Sequence, residues 1–596
     1  MQTKIMSNLT ASPRIIYAAT LVLAACSLLY ELLIAQALAT FAANTVTWYS
    51  VTVGLYLAGM GLGALLHDQH PTANLWARFF KVEVALSAAG AIAVPLLHFS
   101  HTGALLLEVY RLSFLGHVLF FGTGFLLITT IGILTGFELP LLIDLANAAA
   151  GKKRLTNRVL ASDYTGSLLG GLAFPLLLVP NLSLVAIGLI AATLNIFLAI
   201  LALYFFLPKL HRCSLRFIVS GALALMLGLG LNFAPPLERY FTKLYYFYWD
   251  QSEDFKQLFA SMDNAEDVFR VRSPYQRIDL VHDKDGSEPS SIDDFYSSKF
   301  VDNPLQPKNY ALFLNGDFQL ASNYEEYYHE FFAHIPIMTN GAVPRRVLVM
   351  GGGDGLLLRE LVKYPDIKTI VHVDLDRELI DLATTHPVLL AMNEGSLSDP
   401  RITRHFDDAY RFIRNSSDRF DAIYLDFPDP RDYNLSKLYS REFYHFVRQR
   451  LTSDGFIALD SPGLRHNKER REIYTSTLAA AGYKFVTPYI SKIETINEAA
   501  YEFLLTSGFE EEKARRLLAN HAASIRLGFI TARDHWPDRP IYQDPRVKLH
   551  VINDTRLYLT LRNLIPSLPP TDPDKINSIF RPTLPSGNIW HVRDPW

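Results

Sequence analysis

Before residue 234 the chain is dominated by apolar runs long enough to cross a bilayer, and beyond it such runs stop. The candidate spans are roughly Ile15 to Ala39, Trp48 to Leu66, Phe80 to Phe99, Ser113 to Phe137, Leu160 to Val179, Leu182 to Leu207 and Leu215 to Phe233. Each is near the roughly 20 residues that a hydrocarbon core requires, so this half is expected to form a membrane α-helical bundle of about seven spans. Ile15 to Ala39 has a basic front but no small-residue cleavage site, and reads as a retained span rather than a signal peptide. Glu31, Glu138 and Asp163 interrupt the apolar runs. Ionisable groups at membrane depth are costly and point to function, although Glu31 and Glu138 lie near span ends, from which they can reach water. Small residues cluster at Gly59 to Gly63 and Gly166 to Gly171, which permits close helix packing. The two cysteines make no disulfide framework. The formal charge, 56 − 59 = −3, gives no sign of a nucleic-acid partner.

The second half is organised by Arg346 to Asp376. Val347 to Met350 is a strand-like apolar run, Gly351 to Gly355 a glycine loop carrying one carboxylate, and Leu356 to Lys363 has helical spacing. A second strand, Thr369 to Val373, ends in Asp374, 23 residues after Gly351. Glycines let the backbone approach a ligand, and an acid at the second strand's tip can accept hydrogen bonds from a ribose. A dinucleotide pyrophosphate would be repelled by Asp354 inside the loop, whereas a sulfonium or an amine would be attracted. S-adenosylmethionine or a relative is therefore favoured over NAD.

Two further acid pairs follow predicted strands: Asp407 and Asp408 after Thr403 to Phe406, and Asp426 and Asp429 after Ala422 to Leu425. Carboxyl ends of parallel strands form the binding crevice of such sheets, so Asp354, Asp374, Asp407, Asp426 and Asp429 are expected to converge. So many acids on one rim imply a cationic ligand. Phe269 to His282 and Tyr310 to Leu314 alternate like strands and predict a small β-domain in front of the nucleoside-binding unit.

Six motifs then occur in order over about 170 residues: Gln276 in SPYQRI, Gln319 in NGDFQ, Tyr328-His329-Glu330, GGGDG at Gly351 to Gly355, DFPDP at Asp426 to Pro430, and LYSREFY at Leu438 to Tyr444. The chain resembles the spermidine synthases, the polyamine aminopropyltransferases, over about residues 270 to 505. YELLIAQ at Tyr30 to Gln36 and LAGMGLG at Leu57 to Gly63 resemble that family's membrane-bound branch. The resemblance implies an enzyme that moves the aminopropyl group of decarboxylated S-adenosylmethionine, a co-substrate, to putrescine or a related amine, giving spermidine and 5'-methylthioadenosine, with no metal or other cofactor. It further implies that Gln276, Asp374, Asp407 and Asp408 hold the donor or methylthioadenosine. Tyr328, His329, Asp354, Asp426 and Asp429 would meet the amines, with Asp426 as the catalytic proton acceptor. An alkyl ammonium with a pKa of about 10 cannot attack until its lone pair is freed, which gives the acid its task; helix capping is the plainer use of the same residue.

The chain departs from the family pattern at Asn315, at Tyr324-Glu325, at Arg431-Asp432-Tyr433, in ALDSPG at Ala458 to Gly463 and in AAYEF at Ala499 to Phe503. Most of these changes fall on the acceptor side, so putrescine itself is less firmly implied than aminopropyl transfer. The expected layout is a membrane domain over 1–233, a connector over 234–268, a small β-domain over 269–322, a Rossmann-like methyltransferase-type α/β domain over 323–505, and an extension over 506–596 with no assigned role.

Basic segments at Lys4 and Arg14, Arg78 and Lys81, Lys152 to Arg158, and Lys209 to Arg216 alternate with poorly charged loops and read as cytoplasmic. Seven spans counted from a cytoplasmic start would leave the α/β domain outside, against its use of an intracellular nucleoside. A further crossing within His101 to Ala150 would remove that conflict but move Lys152 to Arg158 outside. The expectation adopted is a multi-pass cell-membrane protein with a cytoplasmic catalytic domain, in contact with lipid, with homo-oligomerisation left open. Two rivals stand beside it: a methyltransferase using ordinary S-adenosylmethionine, and a polyamine transporter or sensor without turnover.

Overall fold

The structure is a computed structural model that describes residues 13–42, 45–70, 74–109, 112–150, 155–206, 213–247, 268–282, 309–322, 325–430, 433–461, 468–491, 498–506, 510–516, 527–562, 564 and 572–584. Two compact units divide the chain, Met1–Asp267 with Asn588–Trp596, and Val268–Gly587.

Among the described residues of the first unit, seven helices are long and apolar enough to cross a membrane. They are α1 (Pro13–Phe41), α2 (Thr45–Gln69), α3 (Leu75–Val109), α4 (Ser113–Ala150), α5 (Thr156–Ala173), α6 (Leu184–Phe206) and α7 (Cys213–Phe247). α5 runs on through a π turn at Phe174–Leu178, where Pro175 supplies no N–H to the helical ladder. The glycine clusters do the work expected of them. A Cβ at Gly63 would lie 2.9 Å from the Cα of Gly136 on α4, and one at Gly166 would lie 2.1 Å from the carbonyl oxygen of Leu21 on α1. Backbones approach this closely only where side chains are missing.

Several helices outrun their apolar cores, α3 with 35 residues and α4 with 38. Gly103 to Glu108 ends α3 and Phe137 to Ala150 ends α4, so the further crossing considered for His101 to Ala150 is not present. α7 likewise continues to Phe247, so the expected connector begins as helix; its residues 248–267 lie outside the described ones, as do Lys4, Lys152 to Arg154, Lys209 and Arg212. Glu138 is buried on α4 beside Glu83 of α3, an acid that the sequence reading passed over. Glu31 is nearly buried and Asp163 only partly so.

The second unit opens with a four-stranded antiparallel sheet, β1 (Phe269–Arg272), β2 (Arg277–His282), β3 (Tyr310–Leu314) and β4 (Asp317–Ala321), which is the expected small β-domain. Helix α8 (Glu325–Asn340) leads into a seven-stranded sheet of order β10-β11-β9-β8-β5-β6-β7. Its strands are β5 (Arg346–Gly351), β6 (Thr369–Asp374), β7 (Ile402–Phe406), β8 (Phe420–Asp426), β9 (Leu451–Ser461), β10 (Phe485–Ile490) and β11 (Gly528–Arg533). β9, β8, β5, β6 and β7 run parallel, while β11 pairs antiparallel with both β9 and β10. Both faces are covered. Val347 and Val349 of β5 join one core and Leu348 and Met350 the other, all fully buried, as a continuous apolar run in a parallel strand predicts.

The tail therefore belongs to the fold. β11 comes from beyond residue 505 and closes the sheet between β9 and β10. Fully buried Glu330 on α8 accepts the backbone N–H groups of His550, Val551 and Ile552 at 2.6, 2.9 and 2.9 Å. The extension also forms a helix, Asp554–Leu561, capped by Asn553, whose side chain accepts the Arg556 N–H at 2.8 Å.

Candidate active site

In the strand order β6 and β8 flank β5, so the chain crosses over in opposite directions from β5 and leaves a crevice at its carboxyl end. The Gly351–Gly355 loop fills this position, and the flanking strands end in Asp374 and Asp426. Register places Gly351 opposite Asp426, and the Gly352 N–H donates to the Asp426 carbonyl at 3.1 Å. A Cβ on Gly352 would lie 2.8 Å from Asp426 Oδ2, and one on Gly353 would lie 3.0 Å from Asp374 Oδ2. The loop thus runs between two carboxylates, and Gly351 and Gly352 hold φ of +83° and +68°, which favour glycine. His372 on β6 steadies it from behind, with Nε2 2.9 Å from the Gly351 carbonyl.

Asp354 precedes the N-cap Gly355 of the helix Leu356–Val362 and accepts the Leu356 N–H at 2.9 Å. Burial, and then the charges of Asp376, Asp354 and Asp426, push Asp374 up to about 7, against the Asp376 N–H that it accepts. Burial and the Asp354 carboxylate push Asp426 up to about 7 as well, with His329 opposing. Three carboxylates close enough to disturb each other form a site that gains by accepting positive charge.

His329 lies on α8 with Nδ1 2.9 Å from Glu325 Oε2 and 2.8 Å from the Glu325 carbonyl. Burial works against its protonation, but Glu325 outweighs that and raises it. Glu325 is itself fixed by Arg359 at 2.6 and 3.0 Å, and despite its burial Arg359 and His329 bring it down to about 2. Tyr328, just before His329 on the helix, is half-buried, its ring packed against Phe332 and Phe529, and burial and then the charges of Asp460 and Asp426 hold its hydroxyl well above the usual range.

Other expected residues take different partners. Gln276, at the turn before β2, donates to Asp376 at 2.7 Å rather than to Asp374, and Ser273 donates to the same oxygen at 2.8 Å. The backbone N–H of Asp407 reaches the Asp374 carbonyl at 3.1 Å, while its side chain pairs with Arg411, away from the acid trio. Asp408 caps the helix Ala409–Asn415 by accepting the Arg411 N–H at 2.9 Å, and meets Lys437 at 2.6 Å. Asp429 is held by Arg470. Asp460, near the end of β9, is pushed far above the usual carboxylate range by burial and then by the charges of Asp429 and Asp426, with Arg470 opposing. Asp376, Asp460 and Arg470 were not singled out from sequence. An acid two residues past a strand tip marked Asp376, and the strand-end position of Asp460 within ALDSPG was visible; Arg470 carried no such mark. Tyr324, Arg431, Asp432 and part of ALDSPG lie outside the described residues. Among the described residues no group of three or more His, Cys, Asp or Glu side chains is arranged to hold a metal ion.

A family model described as the spermine/spermidine synthase domain matches residues 325–515. A polyamine aminopropyltransferase of Mycobacterium tuberculosis (strain CDC 1551 / Oshkosh) is 31% identical over 494 residues, covering 81% of this chain and 84% of the relative. The polyamine aminopropyltransferase 2 of Ralstonia nicotianae is 30% identical over 482 residues, covering 80% and 84%. The chain belongs to the polyamine aminopropyltransferase family. The match to these aminopropyltransferases is longer than the whole Val268–Gly587 unit, so it takes in part of the helical half as well. A solved spermidine synthase in complex with the transition-state analogue AdoDATO covers 49% of this chain and 84% of its own at 19% identity, with a TM-score of 0.37, too low to support a comparison of sites.

Proposed function

We propose that the Val268–Gly587 unit transfers the aminopropyl group of decarboxylated S-adenosylmethionine to putrescine or a related amine, releasing 5'-methylthioadenosine. The observation that carries this reading is the trio Asp354, Asp374 and Asp426 around the glycine loop, where burial and mutual repulsion hold two acids up to about 7. A donor bearing a sulfonium and an amine relieves that repulsion. Ordinary S-adenosylmethionine would bring a carboxylate into it, which speaks against the methyltransferase reading.

In this reading Asp374 accepts from the ribose hydroxyls and Asp354 receives the donor's amine. Gln276 acts on the nucleoside side by fixing Asp376, and Asp407 and Asp408 shape the adenine end through the β7 loop. Tyr328, His329 and Asp429 border the amine path. Asp426 takes the proton of the attacking ammonium. The freed nitrogen lone pair then forms a bond to the methylene carbon next to sulfur, the carbon–sulfur bond breaks, and its electron pair neutralises the sulfonium. The leaving group is thereby an uncharged thioether, and the reaction needs no metal or redox cofactor.

We also take the seven helices to cross the cell membrane with the catalytic unit on the cytoplasmic side, where such a nucleoside is made. The deciding experiment is mass spectrometry of products from purified full-length protein given decarboxylated donor and a panel of amines. An aminopropylated amine together with methylthioadenosine supports the proposal; consumption of ordinary S-adenosylmethionine with methylation overturns it.

A further inference from the structure

Inside the helical unit three polar side chains on three helices are buried together. Glu83 of α3 is fully buried, Asn195 of α6 is 1% exposed and Glu138 of α4 is 5% exposed. Among the described residues neither carboxylate oxygen of Glu83 has a hydrogen-bond partner, and neither does Asn195 Oδ1. Buried polar groups are ordinarily satisfied, and an ionisable one among apolar helices is costly without a partner.

Helix packing brings the three to one level. α3 and α6 run antiparallel: a Cβ on Gly188 would lie 3.2 Å from the Gly90 carbonyl oxygen, and the Ser87 hydroxyl donates to the Ala192 carbonyl at 2.8 Å. One further turn in the same direction sets Asn195 across from Glu83. α3 and α4 are antiparallel too, with a Cβ on Gly116 placed 2.7 Å from the Ala104 carbonyl oxygen. Glu83 and Glu138 each lie roughly six turns from that contact, and their carboxyls interact across the interface.

The hydroxyls nearby are committed elsewhere. Tyr56 Oη is shared by Ser27 at 3.1 Å and Thr135 at 3.0 Å. The Tyr30 hydroxyl lies against Gly90, about two turns along α3 from Glu83. A proton shared by the two carboxyls would occupy one oxygen of each and still leave the other Glu83 oxygen and Asn195 Oδ1 without a donor. A hard divalent ion takes roughly six to eight oxygens, more than these three side chains supply. An ammonium group offers three N–H donors and one positive charge, and its alkyl stem suits apolar surroundings in which Leu86 of α3 and Ile196 of α6 are also buried.

We propose that Glu83, Glu138 and Asn195 form a binding site for a primary alkylammonium inside the helical unit, sharing no residue with the acid trio of the Val268–Gly587 unit. One oxygen from each of three helices receives one N–H, and the positive charge offsets an acid pair that keeps a single proton.

The test is equilibrium dialysis of labelled putrescine against full-length protein in lipid nanodiscs, comparing wild type with Glu83→Gln and Asn195→Leu. Each substitution is expected to remove about one bound amine per chain, whatever number the Val268–Gly587 unit retains, so the result does not depend on the transferase reading. Wild type and both variants binding equal numbers of amines would overturn the proposal and leave the acids a proton-sharing pair. The difference between wild type and variants should persist in a large excess of sodium or potassium chloride; its disappearance there would make this a site for inorganic cations and also overturn the proposal. Asn195→Leu replaces an unpartnered oxygen with a methyl group, so without amine it should melt no lower than wild type. A melting temperature well below that of wild type would make Asn195 a packing residue and sink its role as a ligand.

Discussion

Gly351 and Asp426 are register partners at the ends of β5 and β8, so close that a Cβ on the glycine would lie 2.0 Å from the aspartate's carbonyl oxygen. The glycine loop and the proposed proton acceptor are therefore one construction. Any side chain at Gly351 moves the backbone that aims Asp426, and its φ of +83° adds strain for any other residue. Gly351→Ala is expected to lower methylthioadenosine affinity by tenfold or more, about 1.4 kcal/mol, while circular dichroism stays that of a helical protein. Unchanged affinity by calorimetry would show that the loop tolerates the shift.

Asp374 is the acid proposed for the ribose. Its replacement by alanine should weaken methylthioadenosine binding by about 1.5 to 3 kcal/mol, the range for hydrogen bonds to a charged group. Equal dissociation constants for the two proteins would remove Asp374 from the site.

Asp426→Asn keeps the side chain's size and one acceptor oxygen but cannot take a proton. Donor binding should survive and turnover should fall about a hundredfold or more, the usual share of a general base. In wild type the rate should climb as pH rises through about 7, because only ionised Asp426 accepts a proton and burial with Asp354 nearby holds it that high. The variant should recover part of its loss at high pH, where the amine arrives neutral. A deficit that is the same at every pH would refute this role.

The same two acids set a stability profile. Asp374 and Asp426 are raised to about 7 in the folded protein, whereas free aspartate ionises near pH ~3.9. Their contribution to stability is fully present below the unfolded value and is lost as pH rises through 7, because only the folded state still holds the protons. The ligand-free protein should melt at a lower temperature at pH 8 than at pH 6. Decarboxylated donor, which supplies positive charge, should narrow that difference. A melting temperature that rises from pH 6 to pH 8 without ligand would contradict the raised values.

Seven helices among the described residues are long and apolar enough to cross a membrane, and the proposal that all seven do so puts the two ends of the helical half on opposite sides. With the catalytic unit in the cytoplasm, a reporter fused ahead of α1 should be accessible from outside and one fused after residue 596 should not. The reverse pattern, which the basic loops favour, would place the catalytic unit outside and sink the cytoplasmic assignment.

Much of the site was legible in the chain because strand, glycine loop and helix are local and periodic. The run Val347 to Met350, the turn glycines and the acids closing β6 and β8 fix their own places once a parallel sheet forms, since strand tips on one edge must meet. Asp354, Asp374 and Asp426 could be gathered that way. Asp407 shares the edge, but its side chain turned to Arg411, four residues further on in the helix that follows, a choice of rotamer and neighbour that strand position does not encode.

The apolar runs determined seven helices, although not their lengths, because hydropathy falls off before the backbone stops being helical, as α7 shows in continuing to Phe247. Only the tertiary structure decided what pairs across distance. β11 could not be read as part of the sheet because nothing local in Gly528 to Arg533 says that it inserts between β9 and β10. Glu330 looked like part of a motif and proved to be the anchor for His550 to Ile552, more than two hundred residues later. Glu83 escaped notice beside Glu138, and Arg470 beside Asp429, for the same physical reason: periodicity reports which face a side chain lies on, whereas the partner of a charge is set by which other elements the folded backbone brings within hydrogen-bonding reach.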